Sequence, residues 1–288
     1  GCCRLIGAMP HWLRYYVLQD TIYFIVYKCL RYRVGVVTEN LRNSFPDRPM
    51  AEIKRIRRSF YHNLSEIFIS TVSQAAMSDD DCRRVRVKNL DEVLSDLRGR
   101  DALLSTAHFG CWEYDSFLAL YTGEHYLAAV YHPLENKVID AVYMRLRRRR
   151  NIRLIPMKEI IRYYIDHRLP AGAPGQRIGI GLIADQNPPL RPNSHWFRFL
   201  NQDTVFFDGI EKMALKFHMP VYFCRQRRLR RGYYELEFLR LYDGVEQVAP
   251  NEVTERYVRQ LESDIVADPG MWLWSHRRWK HRRPQCPS

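Results

Sequence analysis

A chain of 288 residues with 46% apolar content can bury one substantial core and is short for two independent large domains, so one domain with an N-terminal appendage is expected. Lysine and arginine total 45 against 32 acidic residues, a formal net charge of +13, which directs the chain toward acidic partners: nucleic acid, an anionic membrane face or an acidic carrier protein. Seven cysteines, an odd number without a CxxC pair or zinc-type spacing, argue against a disulfide framework and against structural zinc.

The adjacent Cys2 and Cys3 admit a lipidation reading that no upstream signal supports. From Trp12 to Leu30 the chain reads WLRYYVLQDTIYFIVYKCL, aromatic and β-branched, interrupted by Arg14, Gln19, Asp20 and Lys28. At about 1.5 Å per residue a helix of this length approaches the thickness of a bilayer core. Aromatic ends and the following Lys28, Arg31 and Arg33 favour a membrane anchor with a cytoplasmic flank. Residues 1–40 are therefore read as an N-terminal membrane anchor helix, spanning or lying flat; the alternative is an amphipathic helix buried on the domain. No small-residue cleavage site follows, so a cleavable signal peptide is not expected.

The segment Asn40 to Pro46 closes this helix. A second helical period runs from Pro49 to Ser73, with Ile53, Ile56, Phe60, Leu64 and Ile67 on one face. After the acidic turn Ser78 to Asp81, short β-branched runs alternate with helical stretches. Strands are predicted at Ala102 to Ala107, Tyr126 to Tyr131, Ile178 to Ala184, Val221 to Cys224 and Tyr233 to Leu239. Helices are predicted at Trp112 to Tyr121, Lys137 to Arg150, Lys158 to Arg168, Phe207 to His218 and Asn251 to Ala267. This alternation specifies an α/β fold with helices flanking the sheet. The basic segment Arg225 to Gly232 joins the last two strands as an antiparallel hairpin, so the sheet should be mixed.

The richest chemistry lies in LLSTAHFGCWEYD, Leu103 to Asp115. A strand ends near Ala107, Gly110 supplies a turn, and a helix starts near Cys111, so His108 and Glu113 leave the sheet at a strand's carboxyl end. On a continuous helix they would diverge; a turn brings imidazole and carboxylate together. A carboxylate that fixes the tautomer of a histidine makes it an efficient general base, although a lone His at a strand end is ordinarily structural. Cys111 invites a rival nucleophile reading, against a small packing residue at a helix start. Asp185 and Gln186 also follow an apolar strand, where they either position substrate or cap the turn enforced by Pro188 and Pro189. Arg145 and Arg149 share a helical face within an arginine run too unbalanced for salt-bridge lacing, which points to an anionic partner. The block of Trp272, Trp274, His276, Arg277, Arg278, Trp279 and Lys280 interleaves aromatics with cations, suited to a lipid interface or to single-stranded nucleic acid. Trp196, Phe197, Phe199, Leu200, Val205, Phe206 and Phe207 are candidates to line an apolar channel, or simply core.

Four segments carry a resemblance: HFGCWE (108–113), VYHPLEN (130–136), ADQNP (184–188) and MWLWSHRRWK (271–280). In this order they resemble the blocks of the lipid A biosynthesis lauroyl/myristoyl acyltransferases, relatives of the glycerolipid acyltransferases with a His-x4-acid motif. Cys111 departs from the Asn common there, and His132 from the Arg, which makes any phosphate contact at 132 weaker or pH-dependent. The resemblance implies an O-acyltransferase domain over residues 41–288 in which His108 takes a proton from an acceptor hydroxyl while Glu113 orients it. The hydroxyl then attacks the thioester of acyl carrier protein without an acyl-enzyme, adding a secondary acyl chain to a lipid A precursor. Taken with the residue readings above, it gives His132, Asn136, Arg145, Arg149, Asp185, Gln186, His276, Arg277 and Arg278 as the candidate substrate contacts. No metal and no cofactor are required, and the expected location is the cytoplasmic face of a bacterial inner membrane. The competing readings are acyl transfer to another lipid acceptor, such as a lysophospholipid, aminoacyl lipid or glycolipid, and a basic nucleic-acid-binding protein.

Overall fold

The computed structural model describes residues 2–76, 83–120, 123, 125–132, 140–141, 144 and 152–283. The chain enters through a short helix α1 (Cys2–Ala8) and then a longer helical run. Two π-helical segments, Leu13–Leu18 and Phe24–Cys29, flank the α-helical α2 (Gln19–Tyr23). Helices α3 (Val34–Ser44) and α4 (Met50–Ser73) follow. Pro49, with its fixed φ and no N–H to lose, sits just before the first turn of α4. Ile53, Ile56 and Phe60 recur on one buried face while Lys54, Arg55 and Arg58 stay exposed.

Beyond Phe60, α4 is buried nearly all round, and its polar residues survive because each of several finds a partner. The Ser65 and Thr71 hydroxyls donate to carbonyls four residues back. Glu66, wholly buried, accepts from the Gly232 amide and the Tyr234 hydroxyl at 2.8 Å and pairs with Arg228 at 3.2 Å. That carboxylate bolts α4 to the hairpin of the sheet. Tyr15 from the N-terminal run reaches the same place, hydrogen-bonded to the hydroxyls of Ser70 and Tyr114. Gly232 (φ +75°) is needed there: a Cβ would stand 2.5 Å from the Tyr15 ring.

Seven strands form the main sheet in the order β1-β9-β8-β2-β5-β3-β4. They are β1 (Val85–Val87), β2 (Ala102–Thr106), β3 (His125–Tyr131), β4 (Ile152–Pro156), β5 (Arg177–Ile183), β8 (Val221–Arg230) and β9 (Tyr233–Tyr242). All pairings are parallel except β8 with β9. A separate hairpin joins β6 (Trp196–Phe199) to β7 (Gln202–Val205). The helices around the sheet are α5 (Leu90–Asp96), α6 (Ile160–His167), α7 (Gly209–Phe217) and α8 (Glu252–Ala267). The mixed α/β architecture agrees with the alternation of sequence patterns.

Several local expectations need correction. Trp112–Leu120 is a 3-10 segment, not an α-helix. The basic stretch from Arg225 is mostly strand, with Arg225 paired to Glu237 across the hairpin and to Asp264 on α8. Strands β1 and β4 and the β6–β7 hairpin were not anticipated. The predicted helix Lys137 to Arg150 lies almost wholly outside the described residues. Among the described residues, no helix is long and apolar enough to cross a membrane. The inner face of the N-terminal run is docked on the domain through Arg14, Tyr15 and Gln19, all buried. Its outer face leaves Trp12, Tyr16, Val17, Phe24, Ile25 and Leu30 exposed.

Candidate active site

Parallel pairing of β2 with β5 sets Thr106 opposite Ile183. Two residues beyond each strand, His108 and Asp185 therefore emerge side by side at the carboxyl edge of the sheet, where α/β folds gather ligands. The His108 ring nitrogen Nδ1 lies 2.7 Å from Asp185 Oδ1, and the His108 backbone amide donates to Oδ2 at 3.0 Å. A third donor comes from far along the chain: the Trp272 indole N–H reaches the same Oδ2 at 2.8 Å. Burial works to raise the pKa of Asp185, but the nearby His108 imidazole and these hydrogen bonds outweigh it and hold the carboxyl below its ordinary value. It is thus a buried carboxylate, 2% exposed, with charge-assisted hydrogen bonds on both oxygens.

An ionised carboxylate can only accept, so Nδ1 carries the proton and Nε2 is left with its lone pair outward. The Gln186 amide, 3.2 Å from Nε2, marks the direction from which a hydroxyl would approach. Trp112 stacks edge-on against the imidazole, with ring centres 4.9 Å apart. The arrangement is that of a general base with an orienting acid.

Asp185 is the carboxylate on His108 Nδ1, a contact that the sequence reading, which looked to Glu113, did not name. Five residues along the chain looked closer than 77, but strand pairing is non-local and puts the distant carboxylate in contact. Glu113 is buried and stands in the wall of a neighbouring cavity. Gly110 makes the intervening turn at φ +63°; a Cβ there would meet Gln226 Oε1 at 2.7 Å and Met271 Cε at 3.2 Å. Cys111 is fully buried and burial pushes its thiol pKa well up, which disqualifies it as a nucleophile.

That cavity, about 110 Å³, lies between one face of the sheet and the Trp112–Leu120 segment. Its floor is made of alternate residues in register across four strands: Leu104 and Thr106 of β2, Gly181 and Ile183 of β5, Leu127 and Ala129 of β3, Ile152 and Leu154 of β4. Gly181 hollows the middle, between Leu104 and Ala129. The cavity is mostly apolar.

The C-terminal block is the roof of this site and not a lipid-facing belt. Phe109 and Trp272 form an antiparallel bridge, and Gly110 donates to the Met271 carbonyl. Trp272 and Trp274 are buried, and the Trp279 indole donates to Thr204. Asn187 staples the block down, donating to the Arg277 carbonyl at 2.8 Å and to His276 Nε2 at 3.3 Å while accepting from Arg278. Burial, reinforced by the Arg278 charge, lowers the His276 pKa to about 4, so its Nε2 is a neutral acceptor. Arg278 is itself buried and donates to the Val205 carbonyl, a structural cation. Arg277 is exposed and lines a polar groove of about 740 Å³ with Lys280, Arg282 and Arg283.

The other site candidates fare variously. His132 is exposed just past β3; Asn136, Arg145 and Arg149 lie outside the described residues. Phe197, Phe199, Leu200, Val205 and Phe206 pack in the core around the β6–β7 hairpin, and none of the seven aromatic-cluster residues lines the apolar cavity. Sequence reasoning overlooked Trp272 as the donor to Asp185, and Asn187, whose signal was its place beside the Asp185–Gln186 pair.

The model of the bacterial lipid A biosynthesis acyltransferase family matches residues 1–281. The chain belongs to that family. No curated relative matches it. The protein is accordingly an acyltransferase of lipid A biosynthesis, and the acyltransferase's His108–Asp185 pair stands at the carboxyl edge of the sheet, near the apolar cavity.

Proposed function

We propose that this acyltransferase moves a fatty acyl group from the thioester of acyl carrier protein to a hydroxyl of a lipid A precursor, a secondary acylation at the cytoplasmic face of a bacterial inner membrane. One observation carries the reading: an imidazole oriented by a buried carboxylate on one nitrogen and met by the Gln186 amide at 3.2 Å on the other, close to an apolar cavity.

His108 Nε2 takes the acceptor's hydroxyl proton as the oxygen adds to the thioester carbonyl carbon. Collapse of the tetrahedral adduct breaks the carbon–sulfur bond, and the imidazolium returns the proton to the leaving thiolate. Asp185 stabilises the imidazolium without taking the proton. Trp272 and the His108 amide keep that carboxylate aimed, and the acyl chain lies over Gly181 with Glu113 in the cavity wall. No acyl-enzyme is needed, consistent with the burial of Cys111.

The polar groove bearing Arg277, Lys280, Arg282 and Arg283 adjoins the Asn187 staple and suits the phosphates of the acceptor. The exposed Trp12, Tyr16, Val17, Phe24, Ile25 and Leu30, with Lys28, Arg31 and Arg33 at the end of the run, suit a helix lying flat on an anionic bilayer. The same basic surface supports recognition of the acidic carrier protein. The test is transfer from acyl carrier protein loaded with labelled acyl chain to a phosphorylated glucosamine-disaccharide lipid, read by mass spectrometry. An ester product that requires His108 and Asp185 supports the reading; a product formed equally by His108→Ala rejects it.

A further inference from the structure

Gln186 stands between two residues that the fold holds firmly. Asp185 before it accepts from the His108 ring, the His108 amide and the Trp272 indole, and Asn187 after it is tied to the Arg277 carbonyl, His276 and Arg278. The half-buried side chain between them brings its amide nitrogen to 3.2 Å from His108 Nε2. With Nδ1 protonated toward Asp185, Nε2 accepts and the amide donates. One N–H of the NH2 group makes this bond, and the other has no hydrogen-bond partner among the described residues. Nε2 is also where an acceptor hydroxyl must bind, so the amide yields that place when the alcohol arrives. Both its N–H groups are then left beside the reacting centre.

We propose that Gln186 is the oxyanion donor of this site: its side-chain amide covers the base at rest and hydrogen-bonds the thioester carbonyl oxygen as negative charge develops there. The inference deepens the acyl-transfer reading and rests on it for the identity of the reaction. The alcohol oxygen bonds to the carbonyl carbon and gives its proton to Nε2, while the carbonyl π pair moves onto oxygen. Gln186 donates to that oxygen without transferring a proton. On collapse the pair re-forms the carbonyl, the carbon–sulfur bond breaks, and the proton passes from Nε2 to the leaving thiolate. Other donors nearby are already committed. The His108 amide is held by Asp185 and the Gly110 amide by the Met271 carbonyl. Arg278 is buried against Asn187 and the Val205 carbonyl, and His276 Nε2 accepts from Asn187. A neutral amide also suits the place, because a cation there would oppose the imidazolium forming on the same ring.

The test is acyl transfer by the full chain in detergent, from a carrier-protein thioester to a phosphorylated glucosamine-disaccharide lipid, in Gln186→Met and Gln186→Glu, with circular dichroism to verify folding. Methionine keeps the length and removes the donor, so kcat should fall about 10²–10³-fold, the scale of one lost oxyanion donor, with little change in KM for the thioester. Glutamate keeps the shape but sets a carboxylate against the developing charge, so its kcat should fall at least as far. A side chain that only orients the imidazole predicts the opposite order, since a carboxylate holds an imidazolium well. A folded Gln186→Met enzyme retaining more than about a third of the wild-type kcat overturns the proposal, and so does a Gln186→Glu enzyme more active than Gln186→Met. Full activity of Gln186→Met alongside an inactive His108→Ala would reject the oxyanion role alone, whereas transfer that does not need His108 would reject the acyl-transfer reading beneath it.

Discussion

Replacing Asp185 with Asn probes the catalytic geometry with almost no change of volume. In the wild type Oδ1 accepts from His108 Nδ1, while Oδ2 accepts from two donors, the His108 amide and the Trp272 indole. An asparagine has one oxygen and one NH2 to put in these places. With the NH2 in the Oδ2 position, two N–H donors would face a third, in a residue 2% exposed. The amide therefore turns its NH2 toward Nδ1, which must then accept, and the ring proton moves to Nε2. The nitrogen that should receive the acceptor's proton is thereby blocked. The same tautomer error in a serine protease triad costs about 10⁴ in kcat, equivalent to roughly 5 kcal/mol at 1.36 kcal/mol per tenfold. For Asp185→Asn we expect kcat to fall by about 10³–10⁴ with little change in KM for the thioester. The assay is steady-state acyl transfer with thiol release, alongside circular dichroism to verify folding. A folded Asp185→Asn enzyme retaining more than about a tenth of the wild-type kcat would refute the assignment, the more so if Glu113→Gln were then inactive.

Three further outcomes follow from the geometry. Gly181→Leu should fill the middle of the cavity floor and shift the preferred donor to a shorter acyl chain, measured by competition among loaded carrier proteins; an unchanged length profile would show that the chain lies elsewhere. Gly110→Ala forces a Cβ to 2.7 Å from Gln226 at φ +63° and should lower stability by about 1–3 kcal/mol, read as a fall in the denaturation midpoint; wild-type stability would contradict the turn described. Asp115 is raised by burial from 3.8 to about 7, so the folded chain holds a proton across that window that the unfolded chain releases. Its contribution is present in full below about pH 3.8 and is lost as pH rises through about 7. Asp115→Asn should therefore raise Tm at pH 8 relative to wild type and change it little at pH 4, by at most about 4 kcal/mol between the two; an equal effect at both pH values would rule this out.

Much of the fold and part of the site were legible in the chain. The strands that end two residues before His108 and Asp185 announce themselves by short apolar runs followed by polar residues, and the α4 face is written in Ile53, Ile56 and Phe60. That Asp185 meets His108 was not legible, because it depends on the register Thr106 to Ile183, and pairing between segments so far apart in the chain leaves no local trace. The C-terminal tryptophans misled for a related reason. Interleaved Trp and Arg look the same whether they meet lipid or fold inward, and only the Phe109–Trp272 bridge and the Asn187 staple reveal that they fold inward. Strand β1, three residues long, is too brief for a periodicity to register. The arginines of β8 read as a loop because charge on an exposed strand face resembles charge in a turn, until Glu237 stands opposite.

The most direct measurement is the single-turnover rate of acyl transfer from a carrier-protein thioester to a phosphorylated glucosamine-disaccharide lipid, in wild type and His108→Ala. With Nε2 as the proton acceptor, the histidine-free enzyme should fold, bind the donor and transfer at least about 10³-fold more slowly. An alanine variant that transfers at the wild-type rate would mean that the imidazole held by Asp185 is not the base.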